Sequence, residues 1–404
     1  MNAGAQLPVT ILNGFLGSGK TTLLQNLLVQ AREFQDVRLA VIVNEMSELD
    51  VDGRILDTTE VLSKQDELFV SIPAGSISGP EGLAKFSAAI EKFHAGGATH
   101  IVIETSGSTH PWPLLEAIQT NQGVRLHGFL TVVDTVTLAQ DHDLGRAIVP
   151  TASRNLAANQ RGIENLLAEQ IMFANRILLS KIDRLPMERL RTVAEAIHPI
   201  NAGADIVGMQ WGNVKLDDVL SMPPYDHGRV ATLGAELTEW DQTHGTSSMA
   251  SAADYQIENI VIADPRPFHP QRLWDVYSYY LGEGIYRSKG FFWLPTRDKL
   301  QLLWNQTAGS VGLEIVNYWK IAALEDDSLN LSAMEVEELR RQLEEHSPDF
   351  GDRHCRLTVI GDRGGLETFA NAVRECFCSP EEIALWKAGH EFEDPWPTAT
   401  AHLA

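Results

Sequence analysis

The sequence is poor in cysteine: Cys355, Cys376 and Cys378 are the only three in 404 residues, an odd number with no regular spacing. That usage excludes a disulfide framework and points to a reducing, cytoplasmic compartment. Basic residues are scarce as well, with 32 Lys plus Arg against 54 Asp plus Glu and a net charge of −22. Such a field repels phosphate backbones and anionic lipid, so neither nucleic acid nor a membrane is an expected partner. No apolar run approaches the roughly 18 to 20 residues of a membrane span. Residues 1–8 lack the basic stretch and apolar core of a signal peptide, so a soluble protein is expected. The 13 histidines are scattered and form no metal-binding tract.

What is present suffices for a large core: 44% of residues are apolar and 21% charged, in the range of globular domains, and the length suits two domains. Up to about residue 220, short β-branched runs at 9–13, 39–44, 100–104, 128–133 and 176–180 alternate with helical patterns at 21–35, 82–94, 112–119, 162–173 and 188–198. Strands separated by helical crossovers imply an α/β fold with a mainly parallel sheet. Residues 225–254 are rich in Gly, Ser, Thr and acidic residues without periodicity, and are expected to be a flexible linker. Strand patterns at 257–263 and 355–360 and helical patterns at 270–280 and 366–376 predict a smaller α+β domain. The acidic stretch 324–345 reads as one amphipathic surface helix with Met334, Val336, Leu339 and Leu343 on its apolar face. The expected organisation is thus 1–224, linker 225–254, second domain 255–395 and tail 396–404.

Three motifs carry chemistry. Gly14-Phe15-Leu16-Gly17-Ser18-Gly19-Lys20-Thr21 fits G-x-x-x-x-G-K-[ST] between a strand and a helix, where the phosphate-binding mechanism requires it. Gly14, Gly17, Ser18 and Gly19 let backbone N–H groups turn inward around phosphates, with Thr22 next in the helix. Lys20 reaches the β- and γ-phosphates, and the Thr21 hydroxyl is offered to Mg²⁺. Glu104, ending the strand at 100–104, is the expected acidic partner of that magnesium. Ser180-Lys181-Ile182-Asp183 follows another apolar strand and resembles the N-K-x-D arrangement, in which the Asp carboxylate accepts from guanine and the Lys stem packs on the ring. A buried carboxylate rejects a base that cannot pair with it, which favours GTP over ATP. Ser180 in place of Asn keeps a hydroxyl and loses an amide. Read as a solvated turn instead, the last motif leaves a small-molecule kinase or ATPase as an alternative.

Together these motifs resemble the CobW family of P-loop GTPases, which includes metal-insertion proteins and nitrile hydratase activators. The run Gly14 to Leu24 is similar to its phosphate loop, and residues 43–52 to its V-N-E-F-G-E-x-G-I-D switch segment. Glu104-Thr105-Ser106-Gly107 is similar to its E-T-S-G, and Glu169-Gln170-Ile171 to the helix before its guanine motif. Arg266-Pro267-Phe268-His269-Pro270, the run Arg287 to Trp293 and Gly351-Asp352-Arg353 resemble its C-terminal domain. The resemblance implies a slow GTPase acting as a switch, with Lys20, Glu45 and Glu104 as catalytic residues and Glu45 positioning the attacking water. It further implies GTP and Mg²⁺ as ligands and a client metalloenzyme as partner, with nitrile hydratase as the named client.

One departure stands out. Where the family carries N-G-C-x-C-C, this chain has Ala74-Gly75-Ser76-Ile77-Ser78-Gly79. Serine hydroxyls bind zinc, iron or cobalt far more weakly than thiolates. Two readings stand. Glu48, Asp52, Ser76 and Ser78 form an oxygen-rich transition-metal site, or the segment is a switch or docking surface of a GTP-dependent chaperone that binds no such metal. Cys355, Cys376 and Cys378 are read as buried apolar groups in preference to a second cluster.

Overall fold

The computed structural model describes residues 6–44, 68–72, 80–228, 230–231, 257–280, 284–307, 310–326, 331–343 and 346–397. The chain divides into two compact units, Met1–Ile257 and Glu258–Ala404.

In the first unit, seven strands form one sheet: β1 Leu7–Asn13, β2 Leu39–Asn44, β3 Phe69–Ile72, β4 His100–Glu104, β5 Val124–Asp134, β6 Arg176–Ser180 and β7 Asp205–Gly208. Their spatial order is β3-β2-β4-β1-β5-β6-β7, and every pairing is parallel. Among the described residues the helices include α1 Lys20–Ala31, α2 Pro80–Ala95, α3 Pro111–Thr120, α4 Thr135–Asp141, α5 Ile148–Ala157, α6 Ile163–Met172, α7 Met187–Ile197 and α8 Leu216–Leu220. Parallel strands covered on both faces read as continuous apolar runs, and β1 and β2 are buried at every residue. Leu23, Leu24, Leu27 and Leu28 of α1 pack with Val41, Val102, Val132 and Leu178 of the sheet and with Leu216 and Val219 of α8. Each such side chain contributes about 1.5–3 kcal/mol by burial.

Register decides what the sheet presents. Leu12 is aligned with Glu104 and with Leu130, and Asp134 with Ser180, so Asn13, Glu104, Asp134 and Ser180 all end strands along one edge. Open parallel sheets bind ligands at that edge.

The second unit contains β8 Ile257–Asp264, α9 Pro270–Tyr280, β9 Ile285–Phe292, β10 Leu300–Thr307, β11 Ser310–Tyr318, α10 Lys320–Glu325, α11 Ala333–Leu343, β12 Cys355–Asp362, α12 Arg363–Arg374 and α13 Pro380–Lys387. Its sheet runs β11-β10-β9-β12-β8, with antiparallel pairing of β9, β10, β11 and β12. Aromatic residues dominate the core, where Tyr277 of α9 lies 3.9 Å from Trp304 and 5.6 Å from Phe369 of α12, centroid to centroid. The Trp304 indole N–H is satisfied by Ser288 Oγ at 2.7 Å.

Several sequence boundaries are corrected. Trp396, placed in the tail, is 3% exposed, packs against Trp274 and Trp304, and donates its indole N–H to Pro270 O at 3.0 Å. Tyr225, placed in the linker, is buried and donates its hydroxyl to Phe173 O at 2.7 Å. In both cases an aromatic side chain gains more from burial than the polar composition around it suggests. The stretch 324–345 is not one helix: α10 ends at Glu325, α11 begins at Ala333, and Met334 is 82% exposed. The described part of this stretch thus has a break, and Met334 lies off the half-buried side that Val336, Leu339 and Leu343 share.

Candidate functional site

The loop between β1 and α1 is shaped by its glycines. Gly14 has φ +138, and a Cβ there would stand 2.2 Å from Val132 O of β5, so only glycine fits. Gly17 and Gly19 also have positive φ, and α1 starts at Lys20 without a side-chain cap, leaving its first N–H groups to the loop. Lys20 is buried and its ammonium donates back to the carbonyls of Gly14 at 2.8 Å and Phe15 at 3.1 Å. Asn13, not singled out in the sequence, accepts on Oδ1 from Gly14 N at 2.8 Å and from the Thr105 hydroxyl at 2.9 Å, tying this loop to the segment after β4. Ser18 Oγ is buried without a hydrogen-bond partner among the described residues. An unmet buried hydroxyl in a glycine-rich loop at an uncapped helix start is chemistry suited to phosphate oxygens.

Thr21 and Glu104 meet, the hydroxyl donating to Glu104 Oε1 at 2.6 Å. A hydroxyl and a carboxylate together are hard oxygen donors of the type Mg²⁺ takes, so the pair fits that ion. The segment following Glu104 is braced by α6. Gln170 Nε2 donates to Gly107 O at 3.2 Å, and buried His110 pairs with Glu169 at 3.2 Å, which also accepts from Arg161 at 2.9 Å.

Lys181 leaves β6 in the left-handed region, φ +55, and its ammonium is paired with Asp134 Oδ2. Asp134 was missed in the sequence. It is the last residue of β5, and its other oxygen caps α4 by accepting from Val136 N at 2.9 Å and Thr137 N at 3.3 Å. The signal that could have found it is an Asp at a strand end immediately before a helix. Ser180 Oγ donates to Val133 O at 3.3 Å, while Asp183 sits exposed in a short 3-10 turn, Ile182–Arg184. Thr22 is exposed on the first turn of α1.

Of the sequence-derived site residues, Gly14, Gly17, Ser18, Gly19, Lys20 and Thr21 form one loop and Glu104 joins it directly, while Ser180, Lys181 and Asp183 stand two strands away on the same edge. Glu45, Glu48, Asp52, Ser76 and Ser78 lie outside the described residues. The three cysteines are buried free thiols; Cys355 donates to Arg266 O at 3.2 Å and Cys376 to Ala372 O at 3.2 Å. Burial pushes the Cys376 and Cys378 thiols up to about 12, which opposes the thiolate that metal binding needs. Among the described residues no group of three or more His, Cys, Asp or Glu is placed to hold a metal ion, and no helix is long and apolar enough to cross a membrane.

Residues 8–208 match the family described as CobW/HypB/UreG, nucleotide-binding domain, and residues 257–377 match the Cobalamin synthesis protein cobW C-terminal domain. Zinc-regulated GTPase metalloprotein activator 1 of Dictyostelium discoideum is 27% identical over 403 residues, covering 95% of this chain and 82% of that protein. The zinc chaperone CobW of Pseudomonas aeruginosa is 31% identical over 233 residues, covering 55% of this chain and 61% of that protein. The crystal structure of Zn(II)-bound YjiA GTPase from E. coli aligns over 92% of this chain and 99% of that one, at 18% identity and a TM-score of 0.34.

Proposed function

The chain belongs to the CobW/HypB/UreG family of P-loop GTPases, and from that premise we propose that it is a GTP-binding and GTP-hydrolysing accessory protein that serves a client metalloprotein. The observation that carries this reading is the bond between Thr21 of the Gly14–Thr21 loop and Glu104, with Lys181, held by Asp134, on the same strand-end edge of the sheet. In this reading the loop amides and Lys20 bind the phosphates, and Thr21 and Glu104 hold Mg²⁺, which when bound neutralises charge on the phosphates. Lys181 supplies its stem to the base and Asp183 its carboxylate. Glu45 orients the attacking water, and the segment from Asn44 to Asp52 responds to the γ-phosphate, so that slow hydrolysis times a switch. The free thiols support a reducing, cytosolic setting.

Relatives named for zinc suggest the class of client, and nitrile hydratase, which brings cysteine ligands of its own, suits a chain with Ser76 and Ser78 where the family has thiols. The same substitution supports a second reading, a GTP-dependent chaperone that holds no transition metal itself.

GTP is expected to displace a fluorescent guanine nucleotide far more effectively than ATP, and Lys20→Ala to abolish binding. Equal displacement by ATP defeats the guanine assignment. Full client activation by the Lys20→Ala protein defeats the switch. Anaerobic titration with Zn²⁺, Fe²⁺ and Co²⁺, with and without a non-hydrolysable GTP analogue, separates the two readings: nucleotide-dependent binding of one ion supports a metallochaperone using Glu48, Asp52, Ser76 and Ser78, and no binding in either state supports the metal-free chaperone.

A further inference from the structure

Beyond β7 the chain does something that the phosphate and guanine motifs do not account for. Met209 N donates to Leu179 O at 2.7 Å, extending the β6–β7 pairing by a residue, so the segments that follow these two strands leave the sheet side by side. A Cβ on Gly208 would lie 3.1 Å from the Ile182 side chain, within the 181–183 turn. The segment then folds back onto α1. Gly212, φ +69, lies so close to the first turn of that helix that a Cβ would stand 2.8 Å from the Thr22 carbonyl. Asn26 Nδ2 donates to Trp211 O at 2.7 Å, Gln30 Nε2 to Val214 O at 2.9 Å, and Leu216 N to Gln30 Oε1 at 2.9 Å. Residues 209–216 therefore bridge the 181–183 turn and the helix that begins at the phosphate loop.

Within this pinned bridge, Met209, Gly212, Val214 and Leu216 are buried, whereas Trp211 is 49% exposed. It also has φ +54, a backbone region that bulky side chains rarely occupy. A turn there needs only glycine or asparagine. Trp211 thus presents a half-exposed aromatic side chain from a strained, anchored segment that runs between the phosphate helix and the Lys181–Asp183 turn.

We propose that Trp211 is a wall of the nucleobase pocket, its indole packing against the purine whose edge Asp183 addresses. This rests on the guanine-nucleotide reading above and adds a residue to the same site. Because every base has a π-face, stacking raises affinity without choosing the base, so Trp211 supplies grip and Asp183 supplies selection.

The test uses the full chain and mant-GTP. Trp211→Ala is expected to weaken mant-GTP binding by about tenfold or more, and to weaken ATP by a similar factor, leaving the GTP-to-ATP preference unchanged. Trp211→Phe keeps an aromatic face and is expected to recover affinity to within about threefold. It is also expected to lose part of the tryptophan-sensitised mant emission, which reports that residue 211 lies near the bound nucleotide, while the rescue of affinity by Phe reports the aromatic face. Circular dichroism melts of both variants check that the fold is retained. Binding by Trp211→Ala within about twofold of wild type, or undiminished sensitised emission from Trp211→Phe, overturns the proposal while leaving the nucleotide reading intact. Failure of the wild-type protein to bind mant-GTP overturns both.

Discussion

Asp134 does two things with one carboxylate: Oδ1 caps α4 and Oδ2 holds Lys181. The two can be separated. Asparagine caps a helix about as well as aspartate, whereas alanine removes the cap at about 0.5–2 kcal/mol. Asp134→Asn is therefore expected to unfold in urea near the wild-type midpoint yet bind guanine nucleotide more weakly, because Lys181 loses its charged partner. Asp134→Ala is expected to lose both stability and binding. Unaltered nucleotide affinity in Asp134→Asn would remove Lys181 positioning from the account. The phosphate loop and Glu104 were legible in the sequence because their spacing follows from strand and helix periods. Asp134 and Asn13 were not, since their roles depend on which strands become neighbours, a fact set by the order β4-β1-β5-β6 and not by local spacing. Trp211 was invisible for a related reason: its significance comes from an exposure and a backbone angle that no composition rule predicts.

At the scale of elements, long periodic segments could be read and short edge pieces could not. The sequence bounds of β2, β4 and β6 coincide with the structure, because a buried parallel strand is an unbroken apolar run. The four-residue strands β3 and β7 lie at the two edges of the sheet and are only partly buried, so their apolar signal is weak. β10 and β11 were missed because polar residues such as Gln301, Asn305 and Glu314 interrupt their pattern, and β11 is an edge strand. A second element invites a test. Ser379 and Glu382 form a capping box on α13, and Arg272 of α9 grips Glu382 with two hydrogen bonds, 2.6 and 2.8 Å. The Arg272 hydrogen bonds hold the Glu382 carboxyl down at about 2, against an ordinary 4.5. A depressed folded-state value means the pair contributes stability above about pH 4.5 and loses it as pH falls toward 2. Glu382→Gln is expected to lower the Tm at neutral pH and to flatten its fall between about pH 5 and pH 3. An unchanged slope would mean that other carboxylates set the acid limit.

For the molecule as a whole, the distribution of thiols provides a probe. All three lie in the second unit, buried, with thiol pKa values displaced upward by burial. Ellman's reagent at pH 8 is expected to leave the native protein unlabelled over minutes and to react with all three cysteines in denaturant. Rapid native labelling would mean that the core around Cys355 and Cys376 opens readily. As denaturant is raised, thiol exposure reports the second unit, while mant-GTP release reports the first.

The place of Gly14 has a further consequence, in the order in which the protein is made. Its backbone packs against Val132 O, more than a hundred residues later in the chain, and β1 has β4 and β5 as its neighbours in the sheet. On a ribosome the loop emerges first but has nothing to fold against until β5 has followed it out, and Lys181 comes later still. Parallel pairing across such separations is slow, and domains form as units during synthesis. If the proposed function holds, nucleotide capture by the nascent chain is expected to wait until the first unit is almost complete, and guanine-nucleotide binding to mark a late stage of its folding on the ribosome.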